Sequence, residues 1–212
     1  MQRHPLVILC AAGLFVAASL LAYTYYYYSA PGPLAETQTV LFKRGMGFED
    51  IVDRMAEQGV ITRPLLFKAV AVVSGSARKF KAGEYRFSAA ISPRLIIDMI
   101  AHGRVVVHKI TVAEGLNVRQ VIELLSKQEL LEGVVALRAD EGSLLPQTYH
   151  YVYGDQRQEL INRMQQAMRS TLDELWAKRA ADVPLKTPEE ALTLASIVEK
   201  ETGVAEERGR VA

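Results

Sequence analysis

The 212-residue chain holds a single cysteine, Cys10, and no surplus of charge of either sign. One cysteine excludes an intramolecular disulfide framework and any cysteine-clustered zinc site. The 25 Lys and Arg against 24 Asp and Glu leave a formal net charge of +1. That balance argues against a nucleic-acid binder working by bulk electrostatics, which shows a basic excess. The four histidines are His4, His102, His108 and His150. No two stand at the i, i+4 spacing of a helical metal pair, so a metalloenzyme is a poor reading. What is present is apolar material: 50% of the residues are hydrophobic, enough to build a core. At roughly 150 residues per domain, the length suits one large domain or two small ones.

Charge is also missing from residues 6–28, LVILCAAGLFVAASLLAYTYYYY. The run is long enough to cross a hydrocarbon core of about 30 Å at about 1.5 Å per residue. It ends in Tyr23 and Tyr25 to Tyr28, a cluster suited to the membrane–water interface. A cleaved signal peptide is the competing reading. The run exceeds a signal peptide's apolar region, however, and no clean small-x-small site precedes the tyrosines. An uncleaved signal anchor is therefore expected. Arg3, with His4, precedes the span, so the positive-inside rule keeps residues 1–5 cytoplasmic and exports the rest. Cys10 falls inside the span as an inert apolar side chain.

Residues 29–39, SAPGPLAETQT, read as an extended linker because of Pro31 and Pro33. A compact module is expected over residues 40–110. It comprises a strand at residues 40–42, helices over 48–58 and 63–73, a strand ending at Phe87, a helix over 93–101, and a strand over 105–112. Phe48, Ile51, Val52 and Met55 mark the core face of the first helix; Leu66, Ala69, Val70 and Val73 mark that of the second. Ser92 is placed to cap the third, with Pro93 at its first position and Gly103 as its stop. The module's acidic residues are scattered, which suggests binding or spacing rather than catalysis.

Residues 111–212 form the second half. Asn117 caps a helix whose apolar face is Val118, Val121, Ile122 and Leu125. Residues 141–151, EGSLLPQTYHY, read as a tight loop of the kind that holds functional groups. A long amphipathic helix over residues 158–179 offers Leu160, Ile161, Met164, Met168, Leu172, Leu175 and Trp176 for packing. Thr187, Pro188 and Glu190 then open the last helix with a capping box. Its run of Ala191, Leu192, Leu194, Ala195, Ile197 and Val198 is apolar on all sides and predicts burial. Glu199 follows at the end of that run. A carboxyl among apolar neighbours titrates high, as a general acid requires. The same residues also fit a helix that surfaces at Glu199, with Lys200 as local counter-charge. Spacing does not separate Glu199 from Glu201.

The run Leu194-Ala195-Ser196-Ile197-Val198-Glu199-Lys200-Glu201-Thr202, followed by Glu207-Arg208 and Val211-Ala212, resembles the signature of the endolytic murein transglycosylases, the YceG-like family. Glu141-Gly142, Pro146 and Thr148-Tyr149 resemble its second motif. The likeness spans essentially the whole chain. It implies an α+β protein with an N-terminal transmembrane helix, a small LysM-like module and a mixed α+β lytic domain. The implied reaction cuts the β-1,4 bond between N-acetylmuramic acid and N-acetylglucosamine, leaving a 1,6-anhydro end. It implies Glu199 as the catalytic acid and base, with Ser196, Glu201, Thr148 and Tyr149 lining the substrate site. No metal or organic cofactor is implied. The implied partners are peptidoglycan glycan strands, the membrane and a cell-wall synthesis complex, with no nucleic acid. The implied location is the inner membrane, N-terminus in the cytoplasm and the bulk of the chain in the periplasm. Gln147 and Leu145 depart from the family pattern, which has an acidic residue and an aromatic at these positions. Two other classes stay open: a membrane-anchored peptidoglycan-binding scaffold, and a hydrolase pairing Glu199 with Glu141. The family's lytic domain continues past the position of Ala212, so the 212-residue chain is expected to be inactive alone. A lytic assay that yields anhydro ends from this chain would refute that expectation.

Overall fold

The computed structural model describes residues 5–135, 139–202 and 205–211. Arg3, His4 and Ala212 lie outside the described residues. The chain is mixed α+β and divides into two compact units, Met1–Val106 and Val107–Ala212.

The first unit begins with α1, Pro5–Ser29. Its stretch Leu9–Ser29 is long and apolar enough to cross a membrane. Its last turns pack on the unit that follows. Tyr28 reaches the core, and the Arg63 guanidinium lies 5.3 and 5.9 Å from the ring centroids of Tyr23 and Tyr27. The Tyr27 hydroxyl donates to Arg63 O at 3.4 Å. The residues read as a linker are bound rather than free. The Gly32 N–H donates to Ala90 O at 3.1 Å, and the Ala90 N–H donates to Leu34 O at 2.8 Å. A Cβ on Gly32 would stand 2.1 Å from Ile91 O, so only glycine allows this approach.

Then come β1 (Gln38–Phe42), α2 (Phe48–Glu57), α3 (Pro64–Val73), a 3₁₀ turn (Ala77–Lys79), β2 (Gly83–Phe87) and α4 (Pro93–His102). The strands pair antiparallel, Val40 opposite Tyr85 and Phe42 opposite Gly83. Alternation puts Val40, Phe42, Tyr85 and Phe87 on the inner face, where all are buried. Ile51, Val52 and Met55 of α2 and Ile96, Ile97 and Ile100 of α4 close over them. Ser92 caps α4 by accepting from the Leu95 N–H at 3.4 Å. Gly103, at φ 66°, ends it in the left-handed conformation that glycine permits. α3 departs from the expected face: Phe67 and Ala71 are its buried residues, while Ala69 and Val73 are exposed. An almost wholly apolar helix carries no period to say which side meets the core.

In the second unit, β3 (His108–Thr111) pairs antiparallel with β4 (Thr148–Tyr151), Ile110 opposite Tyr149. The strand expected to finish the first module thus belongs here. Likewise, the end of the stretch read as a loop is a strand. α5 (Val118–Ser126) carries the expected face, with Val121 and Leu125 buried and Val118 and Ile122 packed beside them. α6 (Arg157–Ala177) buries Leu160, Ile161 and Met164 only. Of its later apolar residues, Met168, Leu172 and Trp176 are half-buried and Leu175 is exposed. Arg157 fastens α6 to the end of α5: Nε donates to Leu125 O at 3.0 Å, Nη2 to Gln128 O at 2.7 Å and Nη1 to Gly133 O at 2.7 Å. It answers carbonyls that a helix end leaves open. α7 (Pro188–Glu201), a 3₁₀ turn (Ala205–Glu207) and α8 (Arg208–Val211) complete the order.

Burial pushes the Tyr85 phenol up to about 12; its hydroxyl donates to Lys81 O at 3.0 Å. An unfolded chain releases that proton first, near the ordinary value of about 10. Stability from this group is therefore complete below about pH 10 and is lost towards about pH 12. Tyr85→Phe is expected to flatten the fall in urea midpoint across that window, measured against wild type at each pH.

Candidate active site

The last long helix starts as its sequence dictates. Thr187 Oγ1 accepts from the Glu190 N–H at 3.2 Å, with Pro188 in the first turn. The reciprocal half of the capping box is shifted by one residue: the Glu190 carboxylate accepts from the Lys186 N–H at 2.6 Å. The helix is not buried as expected. Val198 is its one buried residue, and Ile197 is 51% exposed. α7 meets α6 and α8, and most of its side chains remain partly or fully exposed.

Glu199 is accordingly not enclosed by apolar side chains. Its side chain is 32% exposed, and Oε2 pairs with Arg208 Nη2 at 2.9 Å. The same guanidinium nitrogen lies 3.9 Å from Glu114 Oε2. One helical position on, Lys200 Nζ donates to Gly115 O at 2.8 Å. These ties draw α7 to the turn between β3 and α5. That turn leads into α5, whose N-terminus is satisfied twice. Asn117 Oδ1 accepts from the Gln120 N–H at 2.9 Å, and Glu141 Oε2 accepts from the Val118 N–H at 3.1 Å. A carboxylate there also meets the positive end of the helix dipole.

Between these elements lies a cleft of about 730 Å³. Glu114, Asn117, Glu141, Ser196, Glu199 and Lys200 give it polar walls, and Leu144, Met168 and Leu192 supply apolar surface. Of the residues singled out from sequence, Glu199 and Ser196 line this cleft, as does Glu141. The Ser196 hydroxyl donates to Thr193 O at 2.7 Å. Glu201 is exposed and does not line the cleft. Neither do Thr148 and Tyr149. Thr148 Oγ1 lies 2.8 Å from Thr111 Oγ1 across the β3–β4 ladder. Tyr149 belongs to the core, its hydroxyl donating to Leu145 O at 2.7 Å and its phenol pushed up by burial. Gln147 and Leu145 tie this segment through their backbones, and the Gln147 side chain also hydrogen-bonds the Tyr149 phenol. Gln147 O accepts from the Val112 N–H at 3.0 Å, and the Leu145 N–H donates to Met164 O at 3.3 Å. Among the described residues no group of three His, Cys, Asp or Glu side chains could hold a metal ion.

The contacts of Arg208, Lys200 and Glu114 escaped the sequence reading. Arg208 stands in the quoted run, but its pairing with Glu199 lies beyond the end of α7, where helical spacing gives no guidance. Glu114 and Gly115 stand about 85 residues upstream of Glu199 and Lys200, a separation over which local pattern carries no information.

The family model of the YceG-like family matches residues 40–212. The chain belongs to the YceG-like family. Among solved structures it is similar to the crystal structure of a YceG-like protein from Listeria monocytogenes. That likeness has 21% identity and a TM-score of 0.38, and covers 82% of this chain and 67% of the other. Among curated proteins none matches.

A YceG-like cleft wall so poor in core should loosen locally before the unit unfolds. Lys200→Met removes the charged tie to Gly115 O. Backbone amides of α7 are expected to exchange faster with deuterium, while the global unfolding free energy from urea titration moves by less than about 1 kcal/mol, because the tie is exposed. Raising the salt concentration on the wild type should reproduce part of that change.

Proposed function

We propose that this YceG-like chain is a membrane-anchored endolytic peptidoglycan transglycosylase with Glu199 as its single catalytic acid and base. The observation that carries the reading is that Glu199, within the run that bears the family likeness, stands on the wall of the large cleft; its ion pair with Arg208 is that of the carboxylate, the form that acts as the base. α1 serves as the anchor in the inner membrane, with its N-terminus in the cytoplasm. The LysM-like module of residues 40–110 spaces or binds glycan, and residues 111–212 supply the lytic part. Glycan strands are the substrate, and a cell-wall synthesis complex is the natural partner.

In this mechanism the Glu199 carboxyl gives its proton to the glycosidic oxygen as the bond from the muramic anomeric carbon breaks. The resulting carboxylate then takes the proton of the muramic C6 hydroxyl as that oxygen bonds to the same anomeric carbon. The proton returns to Glu199, no water is consumed, and the product is a 1,6-anhydro end. Arg208, through Nη2, fixes the direction of the carboxyl. Ser196, one helical turn earlier on the same wall, borders the substrate; Glu201, Thr148 and Tyr149 would act from outside the cleft, through the elements that bound it.

A second reading is favoured by one observation: Glu141 lines the same cleft. Two carboxylates across a sugar are the plan of a hydrolase. Against it, Glu141 Oε2 is engaged by the Val118 N–H. The test is digestion of uncrosslinked glycan strands by the protein expressed from its complete gene, with product ends read by mass spectrometry. Anhydro ends are expected, and Glu199→Gln should lower their rate by about 10²–10⁴-fold. Reducing ends would transfer the assignment to the hydrolase. Absence of cleavage by folded wild type would leave a peptidoglycan-binding scaffold.

A further inference from the structure

α3 and α1 are the two most apolar helices of the first unit. The ten residues of α3, PLLFKAVAVV, hold one charge, Lys68. That charge is spent on α2, paired with Glu49 and with Asp53 at 2.9 Å. Phe67 and Ala71 fill the core. On another side Leu65, Ala69, Val72 and Val73 follow one another at helical spacing, all exposed, Leu65 at 81% and Val73 at 89%. A surface helix in water carries polar residues on that side. A contiguous apolar stripe marks a surface that meets something other than water.

The neighbouring helix says what that is. α3 packs against α1. Arg63, the residue before α3, lies over the rings of Tyr23 and Tyr27. The start of α3 therefore stands level with the tyrosine cluster of α1, the part of a spanning helix suited to the headgroup layer. Cations bracket the stripe: Arg63 before it, and exposed Arg78 and Lys79 in the 3₁₀ turn packed on its far end. An apolar face flanked by basic residues is the composition of a helix lying in the boundary of an anionic membrane.

We infer that α3 is a second membrane contact: its face of Leu65, Ala69, Val72 and Val73 sits in the lipid interface beside the C-terminal end of α1. The bilayer thus holds the first unit at two points. This rests on the reading of α1 as a membrane span, and the experiment separates the two.

Cys10→Ser removes the one native thiol from the full chain. Val16→Cys, Leu65→Cys and Val73→Cys are then introduced one at a time, each at an exposed position. Each is labelled with an environment-sensitive dye and reconstituted into vesicles of phosphatidylethanolamine and phosphatidylglycerol. The expected result is a blue-shifted emission at all three sites, with loss of intensity to nitroxide lipids and little loss to aqueous iodide. If Val16 responds in that way while Leu65 and Val73 lose intensity to iodide, the α3 contact is overturned and the anchor stands. If Leu65 and Val73 are shielded from both quenchers, protein covers the stripe, and the lipid assignment falls. If the Val16 label is open to iodide, α1 does not span, and the inference falls with it.

Discussion

α7 bears the candidate acid yet contributes one buried side chain to its unit, so the cleft depends on charge where most sites depend on packing. Lys200 reaching Gly115 O and Arg208 shared between Glu199 and Glu114 hold the helix against the turn before α5. Glu141 fixes the near edge of that turn by accepting from the Val118 N–H. Ties of this kind, partly exposed, are each worth little and are weakened by salt. The wall carrying Glu199 is therefore among the more easily opened parts of the second unit. Rigidity lies elsewhere. The core of Ile110, Leu125, Tyr149, Leu160 and Met164 is closed, and Arg157 locks the α5–α6 junction through three backbone carbonyls.

Local chemistry was legible in the sequence. Ser92, Asn117 and Thr187 cap the helices they precede, because a cap is settled by a side chain and a backbone N–H two or three residues on. The core faces of α2 and α5 followed from spacing, since polar residues interrupt the apolar ones and define a side. Where that contrast fades, so does the reading. α3 is apolar nearly all round, so Phe67 and Ala71 could not be told from Ala69 and Val73 as the inward pair. In α6 the apolar spacing continues past Met164 although the core does not, because spacing reports a face and not what lies opposite it. The partner of β3 lies some forty residues ahead in β4, and no property of residues 108–111 names it.

The candidate site divides along the same line. Glu199 and Ser196 share a helix and face one cleft, as residues three apart can. Thr148 and Tyr149 are adjacent in a strand, and alternation sends one to the surface and the other into the core. A sequence motif groups residues by order in the chain, whereas a cleft groups them by direction. The ion pair at Glu199 was invisible for another reason. It joins the end of α7 to α8, and its second carboxylate comes from Glu114, remote in sequence.

Gly32 has a consequence for motion. Held by Ala90 and with no room even for a methyl group beside Ile91 O, residues 32–34 form a seam rather than a tether. The first unit cannot swivel on that segment, so any rotation of α1 about its own axis turns the β1–β2 sheet through the same angle. In a bilayer such a unit would sample azimuth only as fast as the anchor spins in viscous lipid, far more slowly than a module swinging on a free chain.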